Sequence, residues 1–175
     1  MDEIKKNIDV IIPCYNVEET IEDCIKSLCN QSLSKNEYNC YFINDCSKDS
    51  TGTILDKYKN IENISIIHHK ENQGLATSRN NGIKAGNSKM IAFLDGDMVV
   101  KKNWLESFLT YFNENVVAVM GDNTAPQNIY LNPVEKYYFG NLRGARKYKD
   151  GENIPFQYML FGNAMLKRTI LQECG

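Results

Sequence analysis

The sequence predicts an α/β protein built on an open, mostly parallel sheet with helices on both faces. Three observations predict it. Short apolar runs alternate with segments of helical periodicity through the first two-thirds of the 175-residue chain, and strand–helix alternation at that spacing gives βαβ units. Most of the runs are continuously apolar, which suits strands covered on both sides rather than one. Polar clusters follow four of the runs, where an open parallel sheet gathers its ligand-binding loops.

The strand candidates are residues 8–13, 40–44, 64–68, 89–94 and 116–120. Helical stripes lie between them. Val17, Ile21, Cys24, Ile25 and Leu28 share one face, with Asn16 as the expected N-cap and Glu19 as the acid three residues on. Ile54, Leu55, Tyr58 and Ile61 make a second stripe, Leu75, Ala76 and Ile83 a third, and Trp104, Leu105, Phe108, Leu109 and Phe112 a fourth. After Gly121 the rhythm stops. Asn132-Pro133 followed by Glu135 reads as the start of a helix reaching about Arg143. Residues 154–166 read as extended, and residues 167–174 as a short helix stopped by Gly175. The expected organisation is an α/β part over residues 1–122 and a second part over 123–175, within one domain.

A net charge of −2 gives no bulk attraction to nucleic acid. No apolar stretch is long enough to span a bilayer, and the charged N-terminus lacks the apolar core of a secretory signal, which favours the cytoplasm. None of the six cysteines forms a C-x-x-C pair, so zinc-ribbon and thioredoxin-like readings fail. Cys24 and Cys40 read as small buried hydrophobes.

The polar clusters are Cys14-Tyr15-Asn16, the stretch from Asn44 to Asp49, the stretch from Lys70 to Gly74, and Asp95-Gly96-Asp97. Two carboxylates one residue apart at a strand end suit a divalent cation, whose other positions phosphate oxygens can fill. Taken alone the same residues also make an ordinary polar turn. Arg79 shares a helical face with Leu75 and Ile83, so it needs an anionic partner: Asp45, Asp95 or a ligand phosphate. His68-His69 reads as a polar strand end. No P-loop, no G-x-G-x-x-G after the first strand and no G-x-S-x-G elbow occurs.

Together these segments resemble a family 2 glycosyltransferase with the nucleotide-diphospho-sugar (GT-A) fold. The likeness runs over residues 8–175 and is carried by Val10 to Asn16, Phe42 to Ser47, Asn72-Gln73-Gly74 with Ser78-Arg79-Asn80, Phe93 to Asp97, and Phe161 to Met165. It implies that Pro13, Tyr15 and Asn16 lie beside the nucleotide base, that Asp45 accepts from the uracil ring N–H, and that Gly74 and Arg79 belong to the donor site. It further implies Asp97 as direct ligand of Mn²⁺ or Mg²⁺, with Asp95 near the ribose or sugar as its companion in the metal site. Gly162 and Asn163 would begin the acceptor side. The family usually has two acids at this point, and in this chain Asn44 stands in place of the first.

The implied reaction is metal-dependent, inverting transfer of a sugar from a UDP-sugar to an acceptor hydroxyl on a glycan or lipid-linked molecule, in polysaccharide or glycoconjugate synthesis. Such a protein would work in the cytoplasm or peripherally at the inner face of the membrane. The catalytic base is unassigned; in the family it follows the segment matching residues 162–175, so it is expected beyond Gly175. Asp122 reads as a solvated turn acid. The segment with Tyr130, Tyr137, Tyr138, Arg143, Arg146, Lys147, Tyr148 and Lys149 reads either as acceptor contact or as a solvated basic face. Two competing readings are a nucleotide-sugar-binding module without turnover and a nucleotidyltransferase. The second would carry a glycine-rich basic loop after the first strand, and Cys14-Tyr15-Asn16-Val17-Glu18 is not one.

Overall fold

The computed structural model describes residues 7–121, 151–152 and 161–174. In chain order they form β1 (Ile8–Cys14), α1 (Ile21–Cys29), β2 (Tyr38–Asn44), α2 (Thr51–Asp56), β3 (Ile64–His68), α3 (Leu75–Ala85), β4 (Met90–Leu94), α4 (Trp104–Leu109), β5 (Ala118–Met120), β6 (Asn163–Lys167) and α5 (Arg168–Cys174). Among the described residues the strands make one sheet in the order β3-β2-β1-β4-β6-β5. β3, β2, β1 and β4 run parallel, whereas β6 runs antiparallel to both neighbours. Residues from both sides of the boundary expected at 122/123 thus share one sheet. The expected helix at 132–143 lies outside the described residues, as do Asp122 and the tyrosine-rich basic segment.

The sheet is mostly parallel because its strands can be covered on both faces. Every residue of β1 is buried. Its side chains alternate between two cores: Val10 and Ile12 join Ile25, Leu28, Leu55 and Leu105 from α1, α2 and α4. Ile11 joins Ile43, Ile91 and Phe93 on the other face, with Ile83 of α3 and Leu171 of α5 against them. That alternation is the period-two pleat, and it places helices on both sides.

Gly82 lets α3 lie directly on the sheet. A Cβ there would stand 2.5 Å from Ile11 Cγ2 and 2.8 Å from Ile43 Cδ1. Gly82→Ala should therefore overpack the helix–sheet contact and cost about 1–3 kcal/mol, despite alanine's better helix propensity. Urea unfolding checks it; an unchanged or higher midpoint would contradict the packing.

Two local expectations need correction. Asn16 does not cap α1: the cap position is Thr20, and Asn16 sits in left-handed backbone at φ 52°. A chain–chain contact outcompetes the cap, because the next loop supplies the acceptors. Ser47 Oγ, Thr51 Oγ1 and Asp49 Oδ2 accept from the backbone N–H groups of Asn16, Val17 and Glu18 at 3.1, 2.9 and 3.1 Å. In return Asn16 Oδ1 accepts from Lys48 N at 2.8 Å, and Glu18 Oε2 from Ser50 N at 2.8 Å. The third stripe is also displaced. Leu75 is 53% exposed, and α3 buries Ser78 and Gly82 instead. Close approach to the sheet selects small residues on that face, and Leu75 is left at the rim of a cavity.

Candidate functional site

The ends of β1, β2 and β3 lie level, since Cys14 pairs with Asn44 and Asn44 with His68. Their loops, with the one after β4, surround a cavity of about 410 Å³. Pro13 and Tyr15 line it from β1, Asp45 from β2, Gly74 from the N-terminus of α3, and Asp95 and Asp97 from β4. Tyr15 is 47% exposed, so it and Leu75 offer apolar surface at the mouth. Of the remaining candidates, Asn16 ties two loops together and Arg79 reaches the site through Asp95.

Asp95 is the anchored member of the acidic pair. Arg79 Nη2 donates to its Oδ1 at 2.9 Å, and the guanidinium lies 6.0 Å from the centre of the Phe93 ring. The backbone N–H of Asp95 donates to the carbonyl of Gly162 at 3.1 Å. Gly162 also leaves the room that the Asp95 carboxylate occupies, since a Cβ there would collide with Oδ2. Asn163 is 6% exposed, and its Oδ1 accepts from the Trp104 indole at 2.8 Å, linking β6 to α4.

Asp97 contrasts with it. The residue is exposed, and no hydrogen bond or ion pair engages its carboxylate among the described residues. Both charges act below the site: burial first, then Asp97 and Asp95, push the Cys24 thiol up to about 12. No cluster of three or more metal-ligating side chains occurs among the described residues. A cation here would rest on one or two carboxylates and take its other oxygens from water or phosphate, which is how Mg²⁺ is commonly held at phosphate sites. The donor set fits such an ion.

Asp45 is buried, 3% exposed, and densely bonded. Its Oδ1 accepts from His69 Nδ1 at 2.7 Å and Gln73 N at 2.8 Å, and its Oδ2 from Gly74 N at 2.8 Å. Burial raises its pKa, but the Gln73 amide, His69 and the Gly74 amide outweigh that and hold it below the ordinary carboxylate value. Burial likewise opposes Thr51 and Glu18 at Asp49, and again the hydrogen bonds prevail and lower it. Gly74 has φ 84°, a left-handed conformation that leaves its N–H facing Asp45.

Depressed folded-state values mean that both acids contribute stability above the unfolded value of about 4, and that this is lost as pH falls through the folded values. The melting temperature should hold nearly level from pH 7 to about 5 and fall below about 4. Asp45→Asn should lower it at pH 7 and flatten the acid limb; a variant with the same limb as the parent would sink the assignment.

His69 escaped sequence reading. The signal lay in register: Asn44 pairs with His68, so the next residues, Asp45 and His69, emerge side by side. Asn44 faces elsewhere, with its Oδ1 accepting from Ser47 N at 3.1 Å and its Nδ2 2.9 Å from His68 Nδ1. The family's missing acid is therefore replaced by a loop-holding amide that does not line the cavity.

A mostly parallel sheet whose C-terminal edge gathers Asp45, Gly74, Asp95 and Asp97 into one cavity, with antiparallel β6 inserted beyond β4, defines the GT-A class of glycosyltransferases. The family model described as "Glycosyl transferase family 2" matches residues 9–175, and the chain belongs to that family. It is 36% identical over 115 residues to the putative teichuronic acid biosynthesis glycosyltransferase TuaG of Bacillus subtilis, covering 65% of this chain and 45% of that protein. Over 114 residues it is 35% identical to the uncharacterized glycosyltransferase EpsJ of the same organism, covering 65% and 33%. The Staphylococcus aureus TarS 1–349 structure in complex with UDP superposes with a TM-score of 0.72 at 22% identity, over 96% of this chain and 48% of that one. Mannosyltransferase PcManGT from Pyrobaculum calidifontis, in complex with GDP-Man and Mn²⁺, gives 0.72 at 16% identity, over 98% and 47%. The chain thus spans under half the length of these relatives. No helix among the described residues is long and apolar enough to cross a membrane.

Proposed function

We propose that this chain binds a nucleoside-diphospho-sugar, most simply a UDP-sugar, and serves in its transfer to an acceptor hydroxyl on a glycan or lipid-linked molecule. The observation that carries this reading is the convergence of Asp45, Gly74, Asp95 and Asp97 on one cavity of about 410 Å³, within the size range of small-molecule sites. Tyr15 and Leu75 supply apolar surface for the base. Asp45 accepts a ring N–H, as uracil and guanine both present. Asp97, with Asp95 beside it, would hold Mn²⁺ or Mg²⁺ against the diphosphate. A bound divalent ion neutralises charge developing on the leaving diphosphate.

The chain's own residues do the rest of the binding. Arg79 keeps Asp95 in place, and Gly162 leaves the space in which that carboxylate sits. Inverting transfer requires a base that deprotonates the acceptor hydroxyl. Similarity to a teichuronic acid enzyme supports cell-surface polysaccharide synthesis as the setting.

Thermal shift with UDP, GDP, CMP and ADP, each with and without Mn²⁺, tests the reading. A ligand at about 100 times its dissociation constant adds about 2.7 kcal/mol, which for a chain of this size is roughly 5–10 °C. UDP or GDP should give that shift only with metal. Equal silence from every nucleotide would remove the donor site.

A further inference from the structure

We propose that His69 and Asn81 are positioning residues for the nucleotide: they lock the Asp45 carboxylate so that one acceptor position on Oδ2 faces the cavity. This rests on the donor-binding reading above.

An ionised carboxylate has about four acceptor positions. Three on Asp45 are filled, two on Oδ1 by His69 and Gln73 and one on Oδ2 by Gly74. The unfilled position is therefore on Oδ2, and Asp45 lines the cavity. The His69 side chain is 5% exposed and is gripped from both ends. Its Nδ1 stands 2.7 Å from Asp45 Oδ1, and its Nε2 stands 2.9 Å from Asn81 Nδ2. An amide nitrogen only donates, so Nε2 accepts and the single ring proton sits on Nδ1, directed at the carboxylate.

Asn81 lies on α3, two turns beyond the Gly74 amide that holds the other oxygen. One helix thus fixes both oxygens of Asp45, directly at Oδ2 and through the imidazole at Oδ1. A carboxylate held this way cannot swing to follow a ligand. It stays an acceptor in one direction and rewards a base that brings a ring N–H there. Cytosine, whose N3 carries a lone pair instead, meets a fixed negative charge, and sites built around one hydrogen bond reject analogues lacking it. Without His69 the carboxylate gains rotational freedom, and that rejection weakens.

The test combines binding and spectroscopy on this chain. Dissociation constants for UDP and CDP with Mn²⁺ are measured by calorimetry for the parent, His69→Leu, His69→Gln and Asn81→Ala, and the His69 ring nitrogens are followed by ¹⁵N NMR. The parent should show a protonated, pyrrole-type Nδ1 and a pyridine-type Nε2. His69→Leu should weaken UDP about tenfold and narrow the UDP-to-CDP preference. His69→Gln, whose amide can still donate to Asp45, should restore most of both. Asn81→Ala keeps the test alive should the leucine variant not fold; it should release the tautomer and narrow the preference. A proton found on Nε2 alone, or variants with the parent's UDP constant and preference, overturn the proposal while leaving donor binding intact. A parent that binds neither nucleotide overturns the donor reading and this inference with it.

Discussion

Asp97→Ala should abolish the metal-dependent part of nucleotide binding while leaving the free protein as stable as before. The two halves of that result have separate causes. Asp97 is exposed and has no partner among the described residues, so the fold draws nothing from it, and surface substitutions of that kind stay within about 0.5 kcal/mol. Loss of a supporting residue around a metal site costs about 10–100-fold, and loss of a direct ligand should cost at least the upper figure. UDP titrations with Mn²⁺ and with chelator should then coincide for the variant and differ for the parent.

Asp95→Ala should behave differently. It removes the partner of Arg79, which is 21% exposed on its side chain, so some stability is lost along with binding. A more exposed pair of this kind is worth about 1 kcal/mol at most. The contrast between the two variants is the informative measurement. If Asp97→Ala bound UDP with Mn²⁺ as tightly as the parent, the metal–diphosphate assignment would be wrong whatever Asp95 did.

Arg168→Ala should be the most destabilising of these changes, by about 3–5 kcal/mol, because it leaves a buried carboxylate without its counter-charge. Asp9 is fully buried at the sheet edge opposite the cavity. Arg168 Nη2 donates to its Oδ2 at 2.7 Å, while Nε and Nη1 donate to the carbonyls of Ser88 at 2.6 Å and Ile83 at 2.9 Å. Ser88 N and Oγ, each at 2.8 Å, and Asn39 Nδ2 at 3.2 Å complete the shell around Asp9. Gly86 packs against it so closely that a Cβ would collide with the carboxylate.

This clamp joins α5 and the end of antiparallel β6 to β1 and to the segment after α3. Equilibrium unfolding should show the loss, with a fall in melting temperature of roughly 6–20 °C. Nucleotide affinity of the folded fraction should be unchanged, because none of these residues lines the cavity. A double replacement of Asp9 and Arg168 by apolar residues of similar volume should cost less than Arg168→Ala alone, since it leaves no orphaned charge.

The parallel strands β1 and β4 were legible because they are buried on both faces, and double burial writes itself as a continuous apolar run. The acidic pair and Arg79 were legible as chemistry that needs company; which company was not. Asp95 took Arg79, and Asp97 stayed unpaired among the described residues, a division no spacing rule could make. His69 read as a polar strand end because only register sets it beside Asp45. Asn16 read as a cap because local rules see the nearest acceptor, whereas Ser47, Asp49 and Thr51 reach the same amides from a different loop.

By itself, then, the sequence determined the α/β class, the order of its strands and helices, and the residue types that gather at one edge. These are local properties, set by periodicity and by which side chains tolerate burial. Only the tertiary structure decided that β6 enters antiparallel beyond β4, that Arg168 finds Asp9 across 159 positions, and that His69 and Asn81 hold Asp45. Each depends on segments distant in sequence meeting in space, where burial makes an unpaired charge or N–H costly and so selects one partner among many.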